Sequence, residues 1–340
     1  MKSTKSKHIK RCLSKAEGYM LFLVMFGLFS VNSQEVKYPE IEINNGILKA
    51  NLYLPDSEDG YYKGTRFDWS GVISNLEFDG HTYFGQWFDA DNPPPFATIM
   101  GPVEAYAPLN YNDVAVGEGF VKIGVGVLKK TTDENYSDFK NYEIINPGKR
   151  TLKTSVNTVE FGHVVNTKTV SYDYTKTIRL VENQSIMQVS HVLRNTGNQQ
   201  IKTFGFNHNF LVIDNQTIGK DFEMTFPVEV SGEGRGLGDI FDIEGNKILF
   251  KRNILGDESI AIKHLNGLND NVDTFNVRIH HSKTGAGVKI TGDQPLSRFR
   301  LWGTSKTICP ETYIDIKVAP GETFSWSYFY EFYDSKTERN

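Results

Sequence analysis

Cysteine is almost absent from this chain of 340 residues, which contains only Cys12 and Cys309. Two such residues cannot build a disulfide framework, and no Cys-x-x-Cys pair indicates a zinc site or a redox motif. The sequence also lacks a His-Glu-x-x-His motif and a loop of regularly spaced carboxylates. We therefore predict neither a metal ion nor any other cofactor.

An excess of positive charge is also lacking. The chain carries 37 Lys and Arg against 41 Asp and Glu, a formal net charge of −4. Nucleic acids and anionic membranes are bound through basic faces, so this balance argues against both kinds of partner. Charged residues make up 23% of the chain and hydrophobic residues 39%, which is typical of a globular protein with a large core.

Helical patterns are missing as well. After residue 36, no segment shows apolar residues at helical spacing over more than about three turns, and no βαβ alternation occurs. Instead, polar and apolar residues alternate along Thr151–Thr169, Lys176–Arg194 and Thr323–Tyr333, and Glu42–Leu54 has the pattern of a β-hairpin. The sequence therefore predicts an all-β protein with one large antiparallel β-sandwich domain from residue 34 to 340.

One apolar run occurs at the N-terminus. Tyr19–Phe29 follows a basic region and precedes the small or polar residues Ser30–Ser33. The run is too short to span a bilayer, and this three-part arrangement is typical of a secretory signal peptide. We predict that residues 1–33 are a signal peptide and that the mature protein is periplasmic or secreted, without a membrane span. An uncleaved N-terminal anchor is the alternative.

Aromatic residues are frequent, with 23 Phe, 16 Tyr and 4 Trp. They pack well in β-sheets, and some are suited to stack on the apolar faces of sugar rings. In the aromatic segment Thr203–Asp214, His208 lies between Asn207 and Asn209. Polar groups in an apolar strand must be paired or functional, so His208 is either a core histidine held by the backbone or a site residue.

A second segment, Gly303–Glu322, contains Glu311 between Pro310 and a strand-like run. An exposed loop position would be the usual place for such a Glu. Glu311 lies away from any obvious solvated charge face, however, and this makes it a candidate for a functional role.

Both segments resemble motifs of the aldose 1-epimerase (galactose mutarotase) family. Its members carry an Asn-His-x-Tyr-Phe-Asn strand and, near the C-terminus, a Cys-x-Glu-Pro segment, a Pro-Gly-Glu turn and a final aromatic strand. This chain has, in the same order, Asn207-His208-Asn209-Phe210, Cys309-Pro310-Glu311 and Pro320-Gly321-Glu322. The resemblance covers most of the chain after residue 33 and implies a galactose mutarotase-like β-sandwich of the supersandwich type.

The resemblance also implies roles for individual residues. Mutarotation needs a base at the anomeric hydroxyl O1 and an acid at the ring oxygen O5, and no cofactor. By position, Glu311 matches the base and His208 the acid. Substrate-binding roles are expected for Asn207, Arg66, Trp302 and Tyr106.

The chain departs from the family pattern in two respects. Family members usually have a second active-site His in the first third of the chain, whereas Gly101–Lys130 contains none. The usual Asn-Arg pair is absent too, which leaves Arg66 as the residue available for its role. These differences indicate a divergent branch.

Three functions are compatible with the sequence. The first is an aldose 1-epimerase-like enzyme that interconverts the anomers of a free sugar. The second is a non-catalytic sugar-binding protein on the same fold. The third is a polysaccharide lyase, with a Tyr or His base and a cation that neutralises a uronate, or a hydrolase with two facing carboxylates. Each implies a monosaccharide or oligosaccharide partner, and no oligomeric state is predicted.

Overall fold

The computed structural model describes residues 38–88, 97–268 and 271–336. Buried and exposed residues alternate along many of its segments, as expected for strands with one face packed on a core. The strands in chain order are β1 (Glu40–Asn44), β2 (Leu48–Tyr53), β3 (Val72–Phe78), β4 (His81–Thr82), β5 (Gly101–Tyr106), β6 (Gly119–Lys122), β7 (Gly126–Lys129), β8 (Ile144–Asn146), β9 (Lys149–Thr154), β10 (Thr158–Val165), β11 (Tyr172–Leu180), β12 (Ile186–Asn195), β13 (Ile201–Phe210), β14 (Phe222–Thr225), β15 (Ser231–Arg235), β16 (Phe241–Glu244), β17 (Lys247–Phe250), β18 (Ser259–Asn266), β19 (Asn276–His281), β20 (Ala286–Gly292), β21 (Arg298–Thr304), β22 (Ile308–Val318) and β23 (Thr323–Asp334). In these ranges the helices are two short 3₁₀ turns, Tyr111–Asp113 and Val272–Thr274.

The strands form antiparallel sheets of ten, six, four and three strands. The ten-stranded sheet has the order β16-β17-β14-β19-β20-β23-β12-β11-β10-β9, and the six-stranded sheet has the order β15-β18-β21-β22-β13-β5. Strands β1 to β4 form the four-stranded sheet, and β6 to β8 form the three-stranded sheet. The prediction of an all-β protein built on a large antiparallel sandwich is confirmed.

The core lies between the two large sheets. Strand β5 of the six-stranded sheet places Tyr106 against Tyr174 of β11 and Trp326 of β23, with ring centroids 6.0 and 6.2 Å apart. All three side chains are buried. Burial of aromatic and branched side chains on both inner faces is the main stabilising term of such a sandwich.

Several predicted elements coincide with observed ones. The predicted hairpin Glu42–Leu54 corresponds to β1 and β2, which pair in antiparallel register around Gly46. Gly46 has a φ of +86°, a backbone conformation that favours glycine. The predicted strand Thr323–Tyr333 is β23.

The predicted signal peptide, residues 1–33, lies outside the described residues and stays a prediction. None of the helices in the described ranges is long and apolar enough to cross a bilayer. From Tyr38 onward the chain forms one compact unit.

Candidate functional site

The site lies on the face of the six-stranded sheet that points away from the ten-stranded sheet. On β13, Asn207 accepts a hydrogen bond from Tyr330 of the ten-stranded sheet, so the next side chain, His208, points to the opposite face. Antiparallel pairing places Glu311 of β22 directly opposite His208, and Arg300 of β21 directly opposite Glu311. Register alone therefore brings an imidazole, a carboxylate and a guanidinium into one row.

Aromatic side chains form the neighbouring rows of the same face. Phe206 stacks on Tyr313 with ring centroids 4.6 Å apart, and the guanidinium of Arg298 lies over Tyr313 at 4.0 Å. On the other side of the row, Phe210 and Trp302 meet edge to face at 6.4 Å. These rings give the site an apolar floor with polar groups at its centre, as in many ligand pockets.

Segments from outside this sheet close the site into a cavity of about 460 Å³. This volume is within the range of small-molecule sites. The side chains that line it are Arg66, Trp87, Ala97, Asp138, Phe139, Phe204, Phe206, His208, Phe210, Arg298, Arg300, Trp302, Glu311 and Tyr313.

His208 and Glu311 are in contact at the centre of the cavity. Nε2 of His208 lies 3.3 Å from Oε1 of Glu311, and both residues are buried, with exposed fractions of 3% and 8%. The imidazole lies parallel to the ring of Phe210, with centroids 3.9 Å apart. Its Nδ1 atom has no hydrogen-bond partner in the described part of the chain. A carboxylate beside Nε2 favours the tautomer that carries its proton there.

Burial sets the protonation of both groups. It raises the pKa of the Glu311 carboxyl, while a hydrogen bond of 3.0 Å from the Tyr313 hydroxyl and the positive charge of Arg66 act in the opposite direction. Burial, with a smaller effect of Arg66, holds the pKa of His208 well below its usual range. His208 is therefore neutral at pH 7, and Glu311 takes up a proton more readily than an exposed carboxylate.

Four of the predicted site residues line this cavity: Glu311, His208, Arg66 and Trp302. His208 is not held by the neighbouring backbone, and Glu311 is on a buried strand rather than in an exposed loop. The structure therefore places His208 and Glu311 in one pocket, as expected from the sequence.

The structure places Tyr106 elsewhere, and its predicted contact with substrate is wrong. Tyr106 is 1% exposed and lies in the core between the sheets. Its hydroxyl shares a hydrogen bond of 3.0 Å with the Tyr174 hydroxyl. Its ring lies across Gly205 of the adjacent strand, where a Cβ atom would be 2.9 Å from a ring carbon. The inward direction of Tyr106 follows from the alternation along β5.

Asn207 is also outside the cavity, which corrects the second substrate-binding prediction. Its side chain is fully buried on the inner face, donates to Glu104 at 2.9 Å and accepts from Tyr330 at 2.8 Å. Neighbours on a strand point to opposite faces, so Asn207 and His208 cannot line one pocket. Asn207 supports the strand that carries His208.

Several cavity residues were not predicted. Arg298 and Arg300 are two residues apart on the same strand as Trp302, and this alternation was the signal that could have placed all three on one face. Tyr313 follows Glu311 by the same spacing. Asp138 has no such signal, because it reaches the cavity from a loop and only the tertiary structure brings it there.

Cys309 also lies on this strand face but is chemically inert. It is fully buried, and burial raises the pKa of its thiol well above the ordinary value. A thiol that stays protonated is a poor nucleophile and a poor metal ligand. Across residues 38–88, 97–268 and 271–336, no group of three or more His, Cys, Asp or Glu side chains is arranged to hold a metal ion.

The fold is similar to solved structures of galactose mutarotase-like proteins. The Slr1438 protein of Synechocystis sp. PCC 6803 is 10% identical, with a TM-score of 0.52 over 88% of this chain and 96% of that protein. The GalM/aldose epimerase homologue from C. elegans is 13% identical, with a TM-score of 0.52 over 88% of this chain and 99% of that protein. A galactose mutarotase-like protein from Clostridium acetobutylicum is 11% identical, with a TM-score of 0.52 over 87% and 95%.

At these identities the similarity shows the fold alone. No family model and no curated protein sequence matches the chain. The predicted galactose mutarotase-like sandwich is thereby confirmed as the fold. A fold of this kind hosts different activities, which depend on the residues of the site.

Proposed function

We propose that this protein is a carbohydrate-active isomerase of the aldose 1-epimerase type, which interconverts the anomers of a sugar by acid–base catalysis. The observation that carries the proposal is the contact of His208 with Glu311, 3.3 Å apart in a cavity with aromatic walls. O1 and O5 of a pyranose are bound to the same carbon. Two proton-transferring groups in contact can therefore serve both oxygens of one bound sugar.

In the proposed reaction, Glu311 is the base. Its carboxylate takes the proton of the O1 hydroxyl, the C1=O1 double bond forms, and the bond from C1 to O5 breaks. Because burial raises the pKa of Glu311, the carboxyl group is a stronger base than an exposed one. The aldehyde then rotates about the bond from C1 to C2, and the reverse steps close the ring on the other face.

His208 is the acid in this scheme. The neutral imidazole gives its Nε2 proton to O5 as the ring opens, and the protonated Glu311 returns a proton to the ring across the 3.3 Å contact. The proton lost from O1 thus reaches O5 through the two residues, and the cycle ends as it began, with Glu311 as the carboxylate and His208 neutral. Such proton transfer needs no cofactor.

The aromatic walls supply binding. Phe210, Trp87 and Trp302 border the catalytic pair, and Trp87 stacks parallel to Phe210 at 5.1 Å. Flat apolar rings suit the C–H faces of a pyranose, whose hydroxyls then point to the polar groups. Aldose epimerase and galactose mutarotase are also the names given to structures with this fold, which supports a sugar ligand.

Anomer relaxation tests the proposal. A freshly dissolved pure anomer is followed by polarimetry or proton NMR over a panel of hexoses, 6-deoxyhexoses, pentoses and uronic acids. Wild-type protein should speed relaxation, and Glu311→Gln and His208→Ala should each reduce this effect by about 10²–10⁴-fold. Gln keeps the size of Glu but cannot accept the proton.

The control variant is Glu160→Gln, which changes a carboxylate on strand β10 outside the cavity. It should leave relaxation unchanged. If no sugar relaxes faster although one binds, the protein is a sugar-binding module and the catalytic proposal fails.

A lyase that acts on uronate polysaccharides is the second candidate. It is favoured by the presence of Tyr313 and His208, the residue types expected as the base of a lyase, beside Arg298 and Arg300 in one cavity. β-Elimination would shorten an oligouronate and create an unsaturated end with new ultraviolet absorbance. Incubation with oligouronates and chromatography of the products separates this activity from mutarotation.

A further inference from the structure

Positive charge is concentrated in the cavity. Arg66, Arg298 and Arg300 all line it, although the whole chain has a formal net charge of −4. Arg300 donates to the Lys263 carbonyl at 3.2 Å and to the Tyr313 hydroxyl at 3.3 Å. It has no carboxylate within ion-pair distance in the described ranges.

Arg66 and Arg298 have even fewer partners. Neither guanidinium makes a hydrogen bond or an ion pair with the described residues, and Nε of each is buried without a partner. Both are held over aromatic rings instead: Arg66 over Phe67 at 4.6 Å and Arg298 over Tyr313 at 4.0 Å. Polar groups in folded proteins are normally paired, so guanidinium groups that line a cavity without a protein acceptor are suited to bind an anion that enters it.

The cavity's own carboxylates do not meet this need. Glu311 accepts from Tyr313 and contacts His208. Asp138 accepts from the buried ammonium of Lys122 at 3.0 Å. Neither carboxylate forms an ion pair with Arg66, Arg298 or Arg300, so these guanidinium groups are able to pair with an anionic ligand.

Arg298 is well placed for a substituent of the bound sugar. It is opposite Tyr313, which is two residues from Glu311 along β22, and such residues are about 7 Å apart on one strand face. A group on the far side of a pyranose ring lies about one ring width from the anomeric carbon. With C1 at Glu311, this group can reach Arg298.

We propose that the cavity selects an acidic sugar, and that Arg298 binds its carboxylate or phosphate group. A guanidinium pairs with either anion through two parallel hydrogen bonds, which a neutral hydroxymethyl group cannot provide. This inference rests on the proposed sugar site. It specifies the substrate class of that site and names a binding residue that the sequence did not predict.

Calorimetric binding of matched sugars tests the inference. The probes are D-galacturonate, its uncharged methyl ester, D-galactose and D-galactose 6-phosphate, with the corresponding glucose series. At least one acid should bind ten-fold or more tightly than its neutral counterparts, and the preference should weaken at high salt. The acid that binds more tightly shows whether carboxylate or phosphate is preferred.

Three variants separate charge from shape. Arg298→Gln should lower the affinity for the acid ten-fold or more and leave that for the neutral sugar nearly unchanged. Arg298→Lys should restore part of the loss. Arg194→Gln, which removes an exposed Arg on β12, should change neither affinity.

The inference is overturned if no acid binds, if acids and neutral sugars bind equally, or if Arg298→Gln weakens both alike. These outcomes are distinct from a failure of the isomerase proposal. Glu311-dependent relaxation of neutral sugars without acid preference would refute this inference alone. Arginine-dependent binding of acids without faster relaxation would refute the isomerase alone.

Discussion

Asn207 donates a hydrogen bond of 2.9 Å to the carboxylate of Glu104, directly behind the strand that carries His208. The same carboxylate accepts a hydrogen bond from the ammonium group of Lys176, which belongs to the ten-stranded sheet. All of these groups are buried. The two sheets are thus joined by charges and hydrogen bonds immediately under the floor of the cavity, where a change in pairing would shift β13.

Replacement of Lys176 tests this layer. Lys176→Met leaves the buried Glu104 carboxylate without its cation, and we expect a loss of about 3–5 kcal/mol of unfolding free energy. The measurement is urea unfolding followed by tryptophan fluorescence. The matched control is Lys153→Met, which removes the exposed partner of Glu160, 2.7 Å away. The control should change stability far less, and equal losses would contradict the assigned role of Lys176.

Acid stability should depend on Glu104. Burial alone would raise the pKa of this carboxyl, but Lys176 and His191 outweigh burial and lower it from 4.5 to about 2. A group whose pKa is lower in the folded state stabilises it above the unfolded pKa and loses this contribution as pH falls. The pair should contribute on the order of 3 kcal/mol, lost between about pH 4.5 and 2.

Comparison of pH profiles isolates this effect. The Glu104→Gln variant should lack the stability loss in that window, although it is less stable at neutral pH because Lys176 stays buried. Asp68 works in the opposite direction, since burial raises the pKa of its carboxyl. The charge of Glu104 adds to that shift, so the two profiles are compared in an Asp68→Asn background. Parallel profiles there would show that Glu104 is not the titrating group.

The pH dependence of anomer relaxation should report Glu311. Because burial raises the pKa of its carboxyl, the acid limb of kcat/KM should lie above that of an ordinary carboxylate. Tyr313→Phe removes a hydrogen bond that stabilises the carboxylate, so the limb should move to still higher pH. Tyr38→Phe, outside the cavity, should leave the profile unchanged, and a limb that does not move in Tyr313→Phe would contradict the assignment.

Loss of an aromatic wall should affect binding more than turnover. Trp302 meets His208 and Trp87 edge to face, with ring centroids 6.0 and 5.4 Å away. Trp302→Ala should raise KM about ten-fold and change kcat less, because in the proposed complex the ring contacts the sugar and transfers no proton. Phe324→Ala removes a ring outside the cavity and should leave KM unchanged. A fall in kcat alone would assign Trp302 to catalysis instead.

Export remains a prediction from the sequence. The basic region and the apolar run Tyr19–Phe29 predict cleavage near Ser33. N-terminal sequencing of the protein from its native host should give a first residue close to that position, in an extracytoplasmic fraction. Cytoplasmic protein that keeps its N-terminal basic region would contradict the prediction.

The sequence determined the class of fold and the pair of residues that we propose to be catalytic. In segments such as Thr323–Tyr333, polar and apolar residues alternate because one face of the strand packs on the core and the other does not. This pattern can be read from the sequence of each segment alone. His208 and Glu311 could be identified because polar groups in apolar strands are costly, and because their order resembles a known family.

Only the tertiary structure decided which face each neighbour takes and what else enters the cavity. The register of β13 with β22 aligns His208 with Glu311, and it sends Asn207 into the core with Tyr106. Pairing between strands far apart in sequence fixes this register, and a shift by one residue would reverse every face. The proposed role of Arg298 also depends on the tertiary structure. Whether its guanidinium has a protein acceptor is decided by the side chains packed around the cavity, which the sequence of its strand does not reveal.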